Sequence, residues 1–281
     1  MPARPRVGLI TRPRVGLKTA ILRVFFMDYT EQELEEAKAY LRDRLRNEQS
    51  MTADVQRLLE MYAAYLLTAL FGHASENDIE LLIHDLIEQL IADCELLAVD
   101  THDRKSMILL YMHGERNGDT LEGRVHKRVH TFYNELFAVY TAGMLLGRGY
   151  KELLATVKKS FEKPWENPVL VEAREMQERG EIDPDYAFSE PHYGRGVAVS
   201  SLTALDTMLR YAVGDAWMYY GWLDAAERGA KGYHVLRGSS YPCDLCDSHT
   251  GIFYHIEDEE NRPPYHAHCV CFMVYSYTER L

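Results

Sequence analysis

The sequence is short of three things: long apolar runs, basic residues and cysteine. No uninterrupted apolar stretch approaches the roughly 18 to 20 residues that a membrane-spanning helix needs, so we expect no membrane association. With 31 basic against 43 acidic residues the net charge is -12. This argues against a surface that coats nucleic acid, because phosphate contacts require lysine and arginine. Hydrophobic residues make up 47% of the 281 positions, enough for a sizeable core.

Basic residues are concentrated at the N-terminus, where residues 1–26 include no acidic residue. The six basic residues there are Arg4, Arg6, Arg12, Arg14, Lys18 and Arg23. The hexapeptide RPRVGL occurs twice, at residues 4–9 and 12–17. Residues 1–28 therefore form a basic arm whose composition suits a local contact with DNA or an acidic partner. A poorly ordered tail is the plainer alternative.

The following segment has helical periodicity. TEQE at residues 30–33 is a capping box, which marks the start of a helix. Further helices are predicted from Thr52 to Gly72 and from about Asn77 to Leu97. Cys94 lies on the apolar stripe of the last of these and is predicted to be a core residue. We expect residues 29–123 to form a helical domain that ends in the polar, glycine-punctuated stretch HGERNGDTLEG, residues 113–123.

The second half combines helices with two short strands, and the predicted fold class is α+β. We expect a mainly helical N-terminal region and then a helix-plus-small-antiparallel-sheet module, residues 124–281, with a Cys/His loop. The predicted elements are helices near 124–146, 150–161 and 200–228, a loop or insertion at 163–198 with one short helix around 169–179, and strands at 232–238 and 272–277. The aromatic side chains of the long helix, Trp217, Tyr219, Tyr220 and Trp222, occupy nearly every side of it. Burial between layers explains them better than a surface for base stacking.

Four of the five cysteines fall in the last 40 residues, at Cys243, Cys246, Cys269 and Cys271. A Cys-x-x-Cys turn lets two thiolates bind one metal ion, and His266-x-x-Cys269 has the same spacing. The pattern predicts a closed structural zinc site made of Cys243, Cys246 and Cys269, with either His266 or Cys271 as the fourth ligand. Disulfides and free thiols are the alternatives, and a reducing compartment disfavours the first of them.

Two catalytic patterns compete with this interpretation. Zinc deaminases combine H-x-E with P-C-x-x-C, and both pieces occur here, as His255-x-Glu257 and Pro242-Cys243-x-x-Cys246. Their order is reversed, however, and the gap between them is too short for the two helices that normally present such groups. An HNH-like nuclease would need a general base and a metal-binding histidine, for which His266 and His268 qualify only by type. We therefore expect no enzymatic activity.

The cysteine segments also resemble those of a known family. CDLCDSHTG at residues 243–251 and PPYHAHCVC at residues 263–271 match its C-x-x-C, its following glycine and its P-P-x-H-x-x-C-x-C ending. The family is the phage Mu F-like group, the head morphogenesis or minor head proteins of tailed bacteriophages. The resemblance covers about residues 124–281. The family's usual arginine between the last two cysteines is Val270 here.

This resemblance implies a low-copy virion component, made in the cytoplasm of the bacterial host and associated with the portal vertex or the head interior. The portal protein and other phage head proteins would be its partners, and head assembly and DNA packaging or delivery its roles. No catalytic residues come with the resemblance. A metal-dependent nuclease or a deaminase-type toxin enzyme is the alternative function.

Overall fold

The computed structural model describes residues 29–100, 102–116, 118–183 and 199–278. The chain is α+β, as predicted, with helices followed by a small antiparallel sheet near the C-terminus. The helices are α1 (Glu31–Phe71), α2 (Glu76–Val99), α3 (Lys105–His113), α4 (Leu121–Leu145), α5 (Tyr150–Ser160), α6 (Pro168–Glu178), α7 (Ser201–Glu227) and α8 (Asp244–Asp247). The strands are β1 (Gly232–Arg237), β2 (Phe253–His255) and β3 (Cys271–Ser276), and 3-10 turns cover Pro164–Glu166 and Glu259–Asn261. The predicted N-terminal arm lies outside the described residues, and so does the second half of the predicted insertion.

The N-terminal helix is longer than predicted. The expected new helix at Thr52 is wrong, because α1 runs unbroken from Glu31 to Phe71. The Thr52 hydroxyl donates instead to Oδ1 of Asp206 on α7, at 2.6 Å. Threonine is a common N-cap residue, but Thr52 lies within α1 and connects that helix to α7. The predicted capping box is confirmed, since Thr30 and Glu33 bond each other's backbone N–H groups.

Helix α3 was not predicted, although its neighbours were. It covers Lys105–His113, and Arg104, the N-cap residue just before it, makes no side-chain capping bond. Helices α4 to α7 begin and end within a few residues of the predicted positions, whereas the single-turn helix α8 was not predicted. Thr120 and Ser200 accept capping bonds at the starts of α4 and α7, and the predicted start of α4 near residue 124 is three residues late.

One large apolar core joins α1, α2, α4 and α7. Its members include side chains with no exposed surface from each of these helices, Leu58, Leu66, Leu90, Val129 and Leu209. Cys94 is also fully buried there, which confirms its prediction as a core residue. Helices on both sides of the predicted division at residues 113–123 contribute to this core. None of the described helices is long and apolar enough to cross a membrane.

The aromatic side chains of α7 are used in packing, as the sequence indicated. Trp217 is 2% exposed and donates its indole N–H to the carbonyl of Leu97 at 2.8 Å. Trp222 donates to the carbonyl of Ile256, also at 2.8 Å, and so connects α7 to the loop after β2. Tyr219 stacks on Tyr111 of α3 with ring centroids 3.9 Å apart.

The sheet has the strand order β2-β1-β3, with both pairings antiparallel. Tyr233 is opposite Tyr254 on one side and Tyr275 on the other. Helix α1 packs against one face of the sheet, where Leu41 meets Phe272 and Val274. Met218 of α7 packs against the other face together with the buried cysteines. The cysteines lie on the connection between the two predicted strands, as expected, and β2 within that connection was not predicted.

Candidate metal centre

The first cysteine pair is formed by a short helical turn directly after β1. Cys243 precedes α8, and its carbonyl accepts the backbone N–H of Asp247 at 2.8 Å. The carbonyl of Cys246 accepts the N–H of Thr250 at 3.0 Å. Gly251 then turns the chain with a φ of 79°, a conformation that favours glycine. Its N–H donates to the carbonyl of Val235, which returns the loop to β1.

The second pair is delivered by the chain that leads into β3. The Pro263–Pro264 bond is cis, and it is followed by a turn in which the Cys269 N–H donates to the carbonyl of His266 at 3.2 Å. His268 in this turn has a φ of 62° and an exposed side chain. Cys271 then begins β3 opposite Arg237.

Five ligand atoms converge between these two segments. They form two overlapping groups, Cys243 with Cys246 and His266, and Cys246 with Cys269 and Cys271. His266 Nε2 lies 3.3 Å from the Cys243 sulfur and 3.1 Å from the Cys246 sulfur. The sulfurs of Cys246 and Cys269 are 3.7 Å apart. Metal–sulfur bonds of about 2.3 Å at tetrahedral angles place two sulfurs about 3.8 Å apart, so the spacing fits a shared metal ion.

The histidine ring is held in one orientation by a backbone bond. His266 Nδ1 lies 2.6 Å from the carbonyl oxygen of Ala267. Because a carbonyl only accepts, Nδ1 carries the proton, and the lone pair of the neutral ring is on Nε2, the atom between the two sulfurs. Metal-binding histidines are usually fixed by such a bond from the other ring nitrogen.

The thiols differ in their readiness to ionise. A hydrogen bond from the Cys271 thiol lowers the pKa of Cys269 to about 5, and the same bond raises the pKa of Cys271 above its ordinary value. Backbone N–H donation from Cys246 lowers the pKa of Cys243. Burial raises the pKa of Cys246 to about 12. Metal ions bind thiolates, so the lowered pKa values of Cys243 and Cys269 favour metal binding. At Cys246 the charge of a bound cation would have to offset the cost of ionising a buried thiol.

A buried arginine from the other end of the chain holds the second cysteine pair. Arg44 of α1 has no exposed surface, and its guanidinium donates to the carbonyls of Cys269 at 2.6 Å and Cys271 at 3.3 Å. Its charge is paired with Glu48 at 3.1 Å, which is itself buried. Gly214 of α7 leaves room for this pair, because a Cβ there would lie 2.4 Å from Glu48 Oε1. Sequence reasoning missed Arg44 entirely.

A second ionic group anchors the middle of the loop. Arg262 and Asp215 are both almost fully buried and are bonded at 2.7 Å. Arg116, between α3 and α4, pairs with the other oxygen of Asp215. The hydroxyl of Tyr211 donates to the carbonyl of Pro264 at 3.2 Å. Helix α7 and the segment after α3 therefore hold the stretch of chain that leads to His266.

Three residues of the two catalytic patterns, His255, Glu257 and His268, lie outside the two Cys/His groups. His255 and Glu257 are exposed, and neither belongs to the Cys/His groups found among the described residues. His268 is exposed as well and is outside both groups. All five residues predicted as metal ligands come together, while His255 and Glu257 of the deaminase pattern do not join them.

All five cysteines lie in the described residues, and each has a free thiol. The four in the loop have the arrangement to hold a metal ion together with His266. Comparison with known proteins found no matching family model, no matching curated protein and no matching solved structure.

Proposed function

We propose that Cys243, Cys246, His266 and Cys269 bind one structural zinc ion. Three thiolates and one imidazole are a common ligand set for structural zinc, and borderline-soft zinc suits both donor types. His266 supports this set because its Nε2 lies close to two sulfurs while its other nitrogen is already bonded. Cys271 then serves as a hydrogen-bond donor to Cys269. Four protein ligands leave no open position, which suits a structural ion better than a catalytic one.

The zinc would hold the C-terminal sheet together. Three of the seven fully buried members of the small core beneath the sheet are cysteines, Cys246, Cys269 and Cys271. An apolar core of that size supplies little free energy by itself. Binding of a structural zinc ion contributes on the order of 10 kcal/mol to folding in small domains. Metal binding would connect the turn after β1 to the start of β3 and so fix both ends of the loop.

We further propose that the chain is a minor head morphogenesis protein of a tailed bacteriophage or prophage. The observation that supports this is the convergence of the two motif segments, C-x-x-C and P-P-x-H-x-x-C-x-C, on one centre between strands that follow a long helix. In this role the protein acts at the portal vertex in head assembly and in packaging or delivery of DNA. The zinc module is structural, and the helices supply surfaces for the portal and other head proteins.

Quantitative mass spectrometry of purified DNA-filled particles tests the proposal. The particles come from a bacterial culture that produces this chain, and its peptides are counted against those of the portal and major capsid proteins. We expect a few to a few tens of copies per particle. Complete absence from filled heads and from empty precursors would overturn the proposal, and assays for nuclease and deaminase activity would then take priority.

A further inference from the structure

A groove of about 330 Å³ runs between the beginning of α1 and the second half of α7. Tyr40 of α1 and Gly221 of α7 line the two helical walls. The third wall is formed by Met273 and Tyr275 of β3 and by Tyr277, which follows the strand. The groove is separate from the metal centre, since none of the five candidate ligands lines it.

One edge of the strand that borders the groove has no partner strand among the described residues. β3 pairs with β1 along one edge, and the described part of the chain places no strand beside the other. In the observed register Val270 and Ser276 direct their carbonyls to β1, so the backbone groups of Met273 and Tyr275 point away from it. Arg44 bonds the carbonyl of Cys271 at one end of this edge. An extended segment has room to pair with the remainder.

The walls of the groove select for a basic occupant. Glu33 and Glu36 of α1 and Asp224 of α7 line it. Arg228 is the one basic residue among the described residues of the lining, and it is paired with Asp224 at 2.7 Å. Tyrosine rings are numerous in the lining, and arginine guanidinium groups bind favourably over such rings. The combination of an open strand edge, acidic walls and tyrosines fits an extended peptide that carries arginine.

We propose that the occupant is the arginine-containing segment 4–17 of this same chain. The segment holds four arginines and no acidic residue. Arg12 and Arg14 are two positions apart, so in an extended conformation their side chains share one side. The segment is joined to α1, whose first turn already borders the groove at Glu33. About 13 residues separate it from Thr30, a reach of up to roughly 40 Å, which is ample for a return into the groove.

Hydrogen–deuterium exchange on the full-length chain tests this inference. The readout is the exchange rate of the amides of Met273 and Tyr275, resolved by fragmentation mass spectrometry. If segment 4–17 pairs with β3, these amides exchange slowly in the natural sequence. Replacement of all four of its arginines by serine should accelerate their exchange at least tenfold, and high salt should act in the same direction because it screens the charges.

Substitutions in the groove provide an independent test with a matched control. Glu36→Gln combined with Asp224→Asn removes two charges from the walls and should produce the same acceleration. The control combines Glu35→Gln with Asp43→Asn. It removes two exposed charges from α1 that lie in surface ion pairs and do not line the groove. The exchange rates of Met273 and Tyr275 should not change in this control.

Equal exchange rates in the natural sequence and in both the arginine and groove variants would overturn the inference. So would acceleration on dilution of the natural protein, because that result would assign the occupant to a second copy of the chain. The inference is independent of the proposed role in phage heads, since it concerns only contacts within one chain.

Discussion

Leu58 in the middle of α1 and Cys246 in the loop after β1 are both almost completely buried, but their surroundings differ in kind. Leu58 belongs to the large core that joins the long helices, most of whose members are leucine, isoleucine or valine. Cys246 belongs to a small cluster in which three of the seven buried members are cysteines, and the His266 ring lies beside its sulfur. The first region is stabilised by removal of apolar surface from water. The second lacks enough such surface and, on our proposal, depends on a metal ion.

The comparison also shows how the two regions are joined. Arg44 comes from the helix that carries the main core, but its guanidinium bonds the backbone of the cysteine loop. Arg262 comes from the loop and bonds Asp215 of α7. Charged contacts at two points thus connect a region stabilised by apolar packing to one that, on our proposal, is stabilised by a metal ion. The two regions should therefore respond differently to substitution, and four predictions follow from the largest effect to the smallest.

Replacement of Cys246 should have the largest effect, because its sulfur belongs to both ligand groups. Cys246→Ser should abolish stoichiometric zinc binding and with it metal-binding free energy on the order of 10 kcal/mol. Elemental analysis of the purified protein, with exchange protection of β1 and β3, measures both consequences. Cys94→Ala is the control, since that buried cysteine lies in the helical core, and it should retain one zinc per chain. Retention of zinc by Cys246→Ser would contradict the assignment.

Removal of the buried guanidinium should have the next largest effect. Arg44→Met leaves Glu48 buried without its close partner and two carbonyls without a donor. Breaking a buried pair from one side costs about 3–5 kcal/mol, which urea denaturation measures as a lower midpoint. Arg46→Met is the matched control two positions away, because Arg46 is exposed and pairs with Asp43 at the surface. It should cost less than about 1 kcal/mol. Equal losses in the two variants would show that Arg44 does not join the regions.

Truncation in the apolar core should separate the two regions. Leu58→Ala creates a cavity among fully buried side chains and should lower the free energy of unfolding by about 2–5 kcal/mol. Zinc content should stay at one per chain, because no ligand is near this position. A loss of zinc in folded Leu58→Ala protein would show that zinc binding in the cysteine loop depends on packing in the helical core.

Replacement of Cys271 should have the smallest effect and sharpen the ligand assignment. In Cys271→Ala the proposed four ligands remain, so zinc stoichiometry should not change, and the loss of a buried thiol should cost about 1 kcal/mol. His266→Ala is the comparison variant and should reduce zinc affinity strongly. The reverse result, with zinc lost from Cys271→Ala and kept by His266→Ala, would make Cys271 the fourth ligand.

The sequence was sufficient to predict most elements and the convergence of the four clustered cysteines with His266. The capping residue Thr30 marks a helix start through contacts with Glu33, three residues along the chain, and the apolar stripe of α4 follows from helical periodicity. The spacing of the cysteines likewise reflects local chain geometry, and their convergence with His266 followed from it. Local patterns are visible in one sequence because the atoms that form them are close along the chain.

What the sequence could not predict depends on contacts between distant segments. Arg44 stands in a run of charged residues typical of a solvated helix face, and only packing of α1 against β3 shows that it is buried. Thr52 has the local signature of a helix start, which its bond to Asp206 overrides. β2 is three residues long and is defined by its pairing with β1. Each of these features is determined by a partner that the local sequence does not contain.

Native mass spectrometry of the purified full-length chain tests the central claim most directly, because one spectrum distinguishes a bound metal from oxidised thiols. We predict a folded species whose mass exceeds that of the reduced chain by one zinc ion, and which loses that ion together with the folded charge-state pattern on chelation. A folded species without metal, whether fully reduced or lighter by two hydrogens for each disulfide, would contradict the claim that a metal ion holds the cysteine loop together.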